Sequence, residues 1–251
     1  MKLSLVIPAH NEAGSIAPVL RALHAGLKSE NIPHELLVVN DNSRDGTEAV
    51  LVDLEREIPE LRHLNNRPPN GFGFAVRAGL EATTGDAVAI VMADGSDSPR
   101  DVAKFYRKLL EGYDCVFGSR FMAGSEVVDY PPLKRALNRL FNTGIRALFG
   151  LRYNDVTNAF KMYRAEVIPG LKPFLSHHFN LTVELPLKAI VRGYSYAVVP
   201  NGWYNRKAGV SKLKLKEMGS RYLFIVIYCL LERWLSAGDY RKQAPRPENV
   251  P

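Results

Sequence analysis

"AIVMADGSDSP", residues 89–99, is the stretch whose reading decides the fold. Its first half is a continuous apolar run, the pattern of a strand buried on both faces. The run stops at Ala93. Asp94 and Asp97 follow, with Gly95 between them and Pro99 just after to open a helix. In an open α/β sheet, ligands bind beyond the carboxyl ends of the strands, near the switch in strand order. Two acids at such an end therefore mark a candidate site.

The neighbouring segments have the same rhythm. "LSLVI" (3–7), "ELLVVN" (35–40), "LRHLN" (61–65), "DAVAIVMA" (86–93) and "DCVFGS" (114–119) read as strands. Between them, residues 15–29, 45–58, 72–83 and 99–112 have the apolar spacing of helices. Such alternation predicts right-handed βαβ units and a mostly parallel α/β sheet flanked by helices. The second half departs from it. Residues 131–150 form a long, basic, amphipathic helix; 158–164 are consistent with a strand; 179–193 read as a helix despite Pro186; 194–206 read as strand and loop; 214–236 form a last helix.

The chain has 251 residues, 46% of them hydrophobic, enough for a sizeable core. Its two cysteines, Cys115 and Cys229, lie in apolar runs, which fits a reducing compartment rather than a disulfide framework. The net charge of +7 favours an anionic partner. The basic residues are not interleaved with aromatics in a nucleic-acid-binding motif, so nucleic acid is excluded as the partner. The first apolar run is too short for a signal peptide. "YLFIVIYCLL" (222–231) falls short of the roughly 20 residues that span a bilayer.

Polar residues collect at four strand ends: Glu12 in "PAHNE", Asp41 and Asp45 in "NDNSRDGT", Asp94 and Asp97 in "ADGSD", and Arg120 in "GSR". Asp45 reads as the cap of the helix that starts at Gly46. Asp94 and Asp97 offer hard oxygen ligands to Mg²⁺ or Mn²⁺, with Asp97 also readable as a turn residue. In "NGFGFAVRAG" (70–79), Gly71 and Gly73 at a helix start suit close approach to a diphosphate.

The pieces "VIPAHNE", "VVNDNSRDGT", "NGFGFAVRAG", "MADGSDSP", "GSRF", "YPPLKR", "NDVTNAFKMYR", "VEL" and "NRKAGVSKLK" occur in this order across roughly residues 3–215. Together they resemble family-2 glycosyltransferases of the GT-A fold, and within them the dolichol-phosphate (polyprenol-phosphate) mannose synthases. The resemblance implies a GT-A, Rossmann-like fold and an inverting hexosyltransferase. Its donor is a GDP- or UDP-sugar, mannose or glucose, and its acceptor is a polyprenyl or dolichyl phosphate. Pro8, Glu12 and Asp41 match positions that grip the nucleotide, and Asp94 matches the second acid of the metal-binding D-x-D. Arg120 and Arg135 match basic residues at the acceptor phosphate, and Arg206 and Lys212 match a basic loop near the phosphates. Met92 replaces the first acid of D-x-D, Ser96 stands where Gln is frequent, and Asn40 replaces an Asp beside Asp41. The Q-x-x-R-W motif of processive polysaccharide synthases is absent.

The expected organisation is a catalytic domain over 1–213, an amphipathic apolar helix over 214–238 and a disordered tail over 239–251. Relatives of this type often carry trailing transmembrane helices, which this sequence lacks. The expected location is cytoplasmic, peripheral at the cytoplasmic face of a membrane, where a membrane-protein partner has a place. Two other readings compete. One is a transferase to a hydroxyl acceptor, with Glu184 of "VEL" as base. The other is a non-catalytic nucleotide-binding module.

Overall fold

The computed structural model describes residues 1–204, 215–236 and 238–240. The first half alternates as its periodicity predicts: β1 (Leu3–Ala9), α1 (Ile16–Ser29), β2 (His34–Asn40), α2 (Thr47–Glu57), β3 (Leu61–Asn65), α3 (Phe72–Ala82), β4 (Ala87–Ile90), α4 (Pro99–Leu110) and β5 (Cys115–Ser119). The second half supplies β6 (Val127–Val128), α5 (Pro132–Phe149), β7 (Lys161–Arg164), α6 (Val167–Gly170), α7 (Leu181–Val191), β8 (Tyr196–Pro200), β9 (Trp203–Tyr204) and α8 (Leu215–Leu235).

Seven strands form one sheet in the order β3-β2-β1-β4-β7-β5-β8. β7 runs antiparallel to β4 and β5, and the other neighbours are parallel. β6 and β9 form a separate parallel pair. The chain winds from β1 to β2 and β3 on one side, then returns to place β4 on the other side of β1. The switch point therefore lies between β1 and β4, and the acids follow these strands.

Side chains alternate across the sheet to make two cores. Leu5, Ile7, Leu36 and Val38 pack under α1, α2 and α4. Val6, Val39, Val88 and Phe117 pack under α3, α5, α7 and α8. α8 joins the second core through Ile225, Val226 and Cys229, and so belongs to the same body as the sheet. Arg192 clamps it there: Nε and Nη2 donate to Glu232 at 2.7 and 2.8 Å, and Nη1 donates to the carbonyls of Gly170 and Lys172. Tyr240, in the segment expected as tail, sets its ring 4.6 Å from the Arg192 guanidinium carbon. Residues 241–251 lie outside the described ones, as does the expected boundary at 213–214. Among the described residues no helix is long and apolar enough to cross a membrane.

Candidate active site

A cavity of about 1170 Å³ opens at the carboxyl ends of β1, β2 and β4. Pro8, Glu12, Asp41, Gly71, Asp94, Asp97 and Arg120 all line it. The loops that carry the acids are stapled to one another. Asp45 accepts from Thr47 N at 3.0 Å and from Ala13 N at 3.1 Å, capping α2 and tying it to the loop after β1. Glu12 N in turn donates to Thr47 Oγ1 at 2.9 Å, and Ser15 Oγ donates to the Glu12 carboxylate at 2.6 Å.

Asp41 is buried and organises the loop opposite. Its carboxylate accepts from Asn66 Nδ2, Asn70 Nδ2 and Gly71 N at 2.8 to 3.0 Å. Gly71 has φ +141°, a conformation closed to side chains, which lets its N–H face Asp41. The two glycines of this loop have separate roles. Gly71 lines the cavity, whereas Gly73 does not. A Cβ on Gly73 would meet the backbone of His177 at 2.5 Å. The Gly73 requirement is therefore the close crossing of α3 over the 174–178 loop, and its expected contact with a diphosphate is corrected accordingly.

Asp94 and Asp97 share the turn after β4. Asp94 Oδ1 accepts from Ser96 N at 3.0 Å, and Asp97 Oδ2 reaches back to Met92 N at 2.9 Å. Ser98 caps α4 by accepting from Asp101 N. Asp97 is thus a turn residue and a cavity residue at once. Burial pushes its carboxyl up to about 7. The Met92 N–H and Arg120 oppose the rise, and the charges of Asp94 and Asp101 add to it. Two hard oxygen donors on one turn, whose like charges act on each other, suit a divalent cation. Among the described residues no group of three or more His, Cys, Asp or Glu is placed to hold a metal ion. Mg²⁺ or Mn²⁺ would take its other ligands from a diphosphate and water, a common arrangement for Mg²⁺.

The opposite wall is cationic and aromatic. Arg120 is almost fully buried; its Nε and Nη2 make bidentate bonds to buried Asp155 at 2.8 and 2.7 Å, and its backbone N–H adds a third at 2.9 Å. Burial disfavours the Arg120 charge, but Asp155 overcomes it and raises the pKa above the ordinary arginine value. From α5, Lys134, Leu137, Asn138 and Phe141 line the cavity. Their i, i+3, i+4, i+7 spacing is one face of a helix. Arg135 is about 100° away from Lys134 on that helix, is exposed and does not line the cavity. The expectation for Arg135 is therefore corrected in favour of its neighbour. Lys134 Nζ lies 5.9 and 5.8 Å from the ring centroids of Tyr130 and Trp203. Asn138, Asn142 and Thr157 hydrogen-bond one another at 2.6 to 3.0 Å and join α5 to the loop that carries Asp155.

Glu184 is not at the cavity. It is fully buried on α7, bridged to Lys188 at 2.5 Å, and accepts from Leu175 N and Ser176 N at 2.7 Å each. Its role is to pin the loop against which Gly73 packs, which corrects its reading as a base. Arg206 and Lys212 lie outside the described residues. The sequence reading missed Lys134, Asn138 and Thr157. The α5 pair was legible as the polar members of a helical face with Leu137 and Phe141, whereas Thr157 sits in a loop without periodicity.

The comparisons agree with this architecture. The model of "Glycosyl transferase family 2" matches residues 4–171. A polyprenol monophosphomannose synthase of Mycolicibacterium smegmatis is 31% identical over 215 residues, covering 83% of this chain and 80% of that one. An undecaprenyl-phosphate mannosyltransferase of Micrococcus luteus is 26% identical over 239 residues, covering 93% and 96%. Among solved structures, glucosyl-3-phosphoglycerate synthase of Mycobacterium tuberculosis with Mn²⁺, UDP-glucose and phosphoglyceric acid superimposes with TM-score 0.67 at 21% identity, over 92% of this chain and 79% of that one. The likeness to that structure is one of fold. With a GT-A sheet, acids at its switch point and a family match over most of its length, the chain belongs to glycosyl transferase family 2 and is a glycosyltransferase.

Proposed function

We propose that the protein transfers a hexose from a nucleoside diphosphate sugar to a polyprenyl phosphate, with inversion at the anomeric carbon. The observation that carries this reading is the division of the cavity: carboxylates gather on the β1, β2 and β4 side, and Arg120 and Lys134 stand on the other. The names of the two relatives support the lipid phosphate, and they favour mannose over glucose as the sugar. GDP and UDP are both compatible with a nucleotide seat at Pro8, Glu12 and Asp41.

The phosphate acceptor explains the missing base. A phosphate monoester has a second pKa near 6 and is largely dianionic at pH 7. One of its oxygens attacks the anomeric carbon, the bond from that carbon to the diphosphate oxygen breaks, and the electron pair leaves with the nucleoside diphosphate. Arg120 and Lys134 hold the incoming phosphate, and Asp155 keeps the Arg120 fork in one orientation. Asp94, with Asp97, would hold Mg²⁺ or Mn²⁺, whose charge neutralises the leaving diphosphate. The Asp41 loop and Gly71 shape the nucleotide seat. The two free, buried cysteines support a reducing compartment, and with it a place at the cytoplasmic face of a membrane.

Acceptor choice tests the reading. A water-soluble short-chain polyprenyl phosphate, the matching polyprenol and a simple sugar are offered with GDP-mannose and UDP-glucose, in Mg²⁺ or Mn²⁺. Transfer to the phosphate alone is the expected result. Transfer to the alcohol or the sugar would move the reaction to a hydroxyl acceptor, and binding of donor without transfer would support a non-catalytic module.

A further inference from the structure

β7 begins with a buried cation that the reaction above does not use. Lys161 is 1% exposed. In the sheet it stands between Ile90 of β4 and Phe117 of β5, on the face of the second core. Its Nζ donates to the carbonyl of Val156 at 3.1 Å and to that of Asn158. Among the described residues no carboxylate forms an ion pair with it. The acid that acts on it is Asp155, whose oxygens are already spent on Arg120. An apolar side chain of similar length would fill the same place without the cost of burying a charge.

The ammonium holds the loop 155–159, and that loop joins the parts of the acceptor wall. Asp155 orients Arg120. Thr157 lines the cavity and bonds to Asn138 and Asn142 of α5, the helix that carries Lys134. Asn158 also lines the cavity and donates to Asn201 Oδ1 at 2.9 Å, just before the strand that carries Trp203. Lys161 takes the two carbonyls that flank Thr157, from the side opposite the cavity wall's other ties. The charges agree with this placement. Arg120 and Asp155 cancel each other, so Lys161 leaves a net positive charge behind the wall.

We propose that Lys161 is a positioning residue for the acceptor phosphate: its ammonium form sets the 155–159 loop, and a dianion bound at Arg120 and Lys134 favours that form. The proposal rests on the lipid-phosphate reading above. Burial brings Lys161 down to about 7; Asp155 opposes the fall and Arg120 adds to it. The flanking strands face it with apolar Ile90 and Phe117, and the nearby Tyr153 and Tyr163 are kept neutral by burial. A phosphate at Arg120 offsets the guanidinium charge, so Lys161 keeps its proton to higher pH. Between pH 7 and 9 the acceptor is already dianionic. Its affinity should therefore fall over that range as Lys161 deprotonates.

The full chain is titrated by calorimetry with a short, water-soluble polyprenyl phosphate at pH 7, 8 and 9. Wild-type affinity should weaken about tenfold across the range. Lys161→Arg, which stays charged, should bind at pH 9 as well as at pH 7. Lys161→Met should raise the acceptor KM about tenfold at pH 7, lose the pH slope and keep donor affinity near wild type. A second measurement needs no variant. In wild type labelled with carbon-13 at lysine Cε, one lysine signal should titrate near neutrality and move to higher pH when the phosphate is added. A slope that persists in Lys161→Arg would overturn the proposal, as would one that Asp97→Asn removes, since Asp97 also titrates near neutrality. Equal losses of donor and acceptor affinity in Lys161→Met would reduce Lys161 to a core residue, and the absence of a phosphate-sensitive lysine signal would do the same. Wild type that transfers to the phosphate with level affinity from pH 7 to 9 would refute Lys161 and keep the acceptor. Wild type without affinity for the phosphate would refute the acceptor reading, and this role of Lys161 with it.

Discussion

Asp94 and Asp97 differ in what they hold, and their variants should differ too. Asp94 lines the cavity and accepts from Ser96 N through Oδ1, and its replacement removes the carboxylate proposed to hold a metal at the donor diphosphate. Asp97 is buried, and its essential bond is from Met92 N, which an amide oxygen also accepts. Asp94→Asn should lower kcat/KM by about two orders of magnitude or more, the scale of one lost transition-state charge contact. Asp97→Asn should cost about tenfold or less. Steady-state kinetics at saturating metal checks the order, and equal losses would mean that the two acids act as one unit. On α5 a single residue step separates a wall residue from a surface residue. Lys134→Ala should raise the acceptor KM or lower turnover by about ten- to a hundredfold, the loss of one charge-assisted phosphate contact, with donor affinity by calorimetry near wild type. Arg135→Ala should leave transfer to a short-chain, water-soluble acceptor within about twofold. The reverse pattern would restore Arg135 to the site.

The β1–α4 elements were legible because each announces itself locally, by apolar runs, helical spacing and the Ser98–Pro99 start of α4. The four strand ends that carry Glu12, Asp41, Asp94 and Arg120 followed from that rhythm, and the structure gathers these residues at one cavity. What stayed hidden is non-local. The insertion of β7 antiparallel between β4 and β5 leaves no trace in a short segment such as "KMYR". The phase of α5 hid for a related reason: two adjacent cations differ only in which way the helix turns them, and tertiary packing decides that. Glu184 is the sharpest case. Its acidic side chain in an apolar helix read as a base, but burial with Lys188 and two backbone N–H groups makes it a brace for the 174–178 loop. Glu184→Gln should therefore act on the loop. Breaking a buried pair costs about 3–5 kcal/mol, so the melting temperature should fall by several degrees or more. The pH profile of kcat in the folded fraction should keep its shape. A profile that loses its basic limb would return Glu184 to the chemistry.

At the scale of the molecule, stability should depend on pH through the start of β2. Glu35 is buried, which by itself would raise its pKa. Hydrogen bonds from Ser4, Thr84 and Arg62 more than offset that and bring it down to about 2. A carboxyl depressed in the folded state stabilises above its unfolded pKa, near 4.5, and loses that contribution as pH falls toward 2. His34 next to it is lowered by burial, partly offset by its bond to the Ile32 carbonyl, so its contribution is present above 6.5 and fades as pH falls below that. Melting followed from pH 7 to 2 should show both losses. Glu35→Gln should be less stable than wild type at pH 7, by on the order of 2 kcal/mol, with the gap closing below about pH 3. A constant gap would remove the carboxylate as its cause. The account as a whole rests on one cavity that holds a sugar donor and a lipid phosphate together, so that a single displacement joins them. The most direct test is the product itself: an α-linked nucleotide sugar and a short-chain polyprenyl phosphate are incubated with the wild-type enzyme and Mg²⁺ or Mn²⁺, and proton and phosphorus NMR are recorded on the lipid. The account predicts a sugar joined through the phosphate oxygen with β configuration. An α-linked product, or a sugar attached anywhere other than the phosphate, would contradict it.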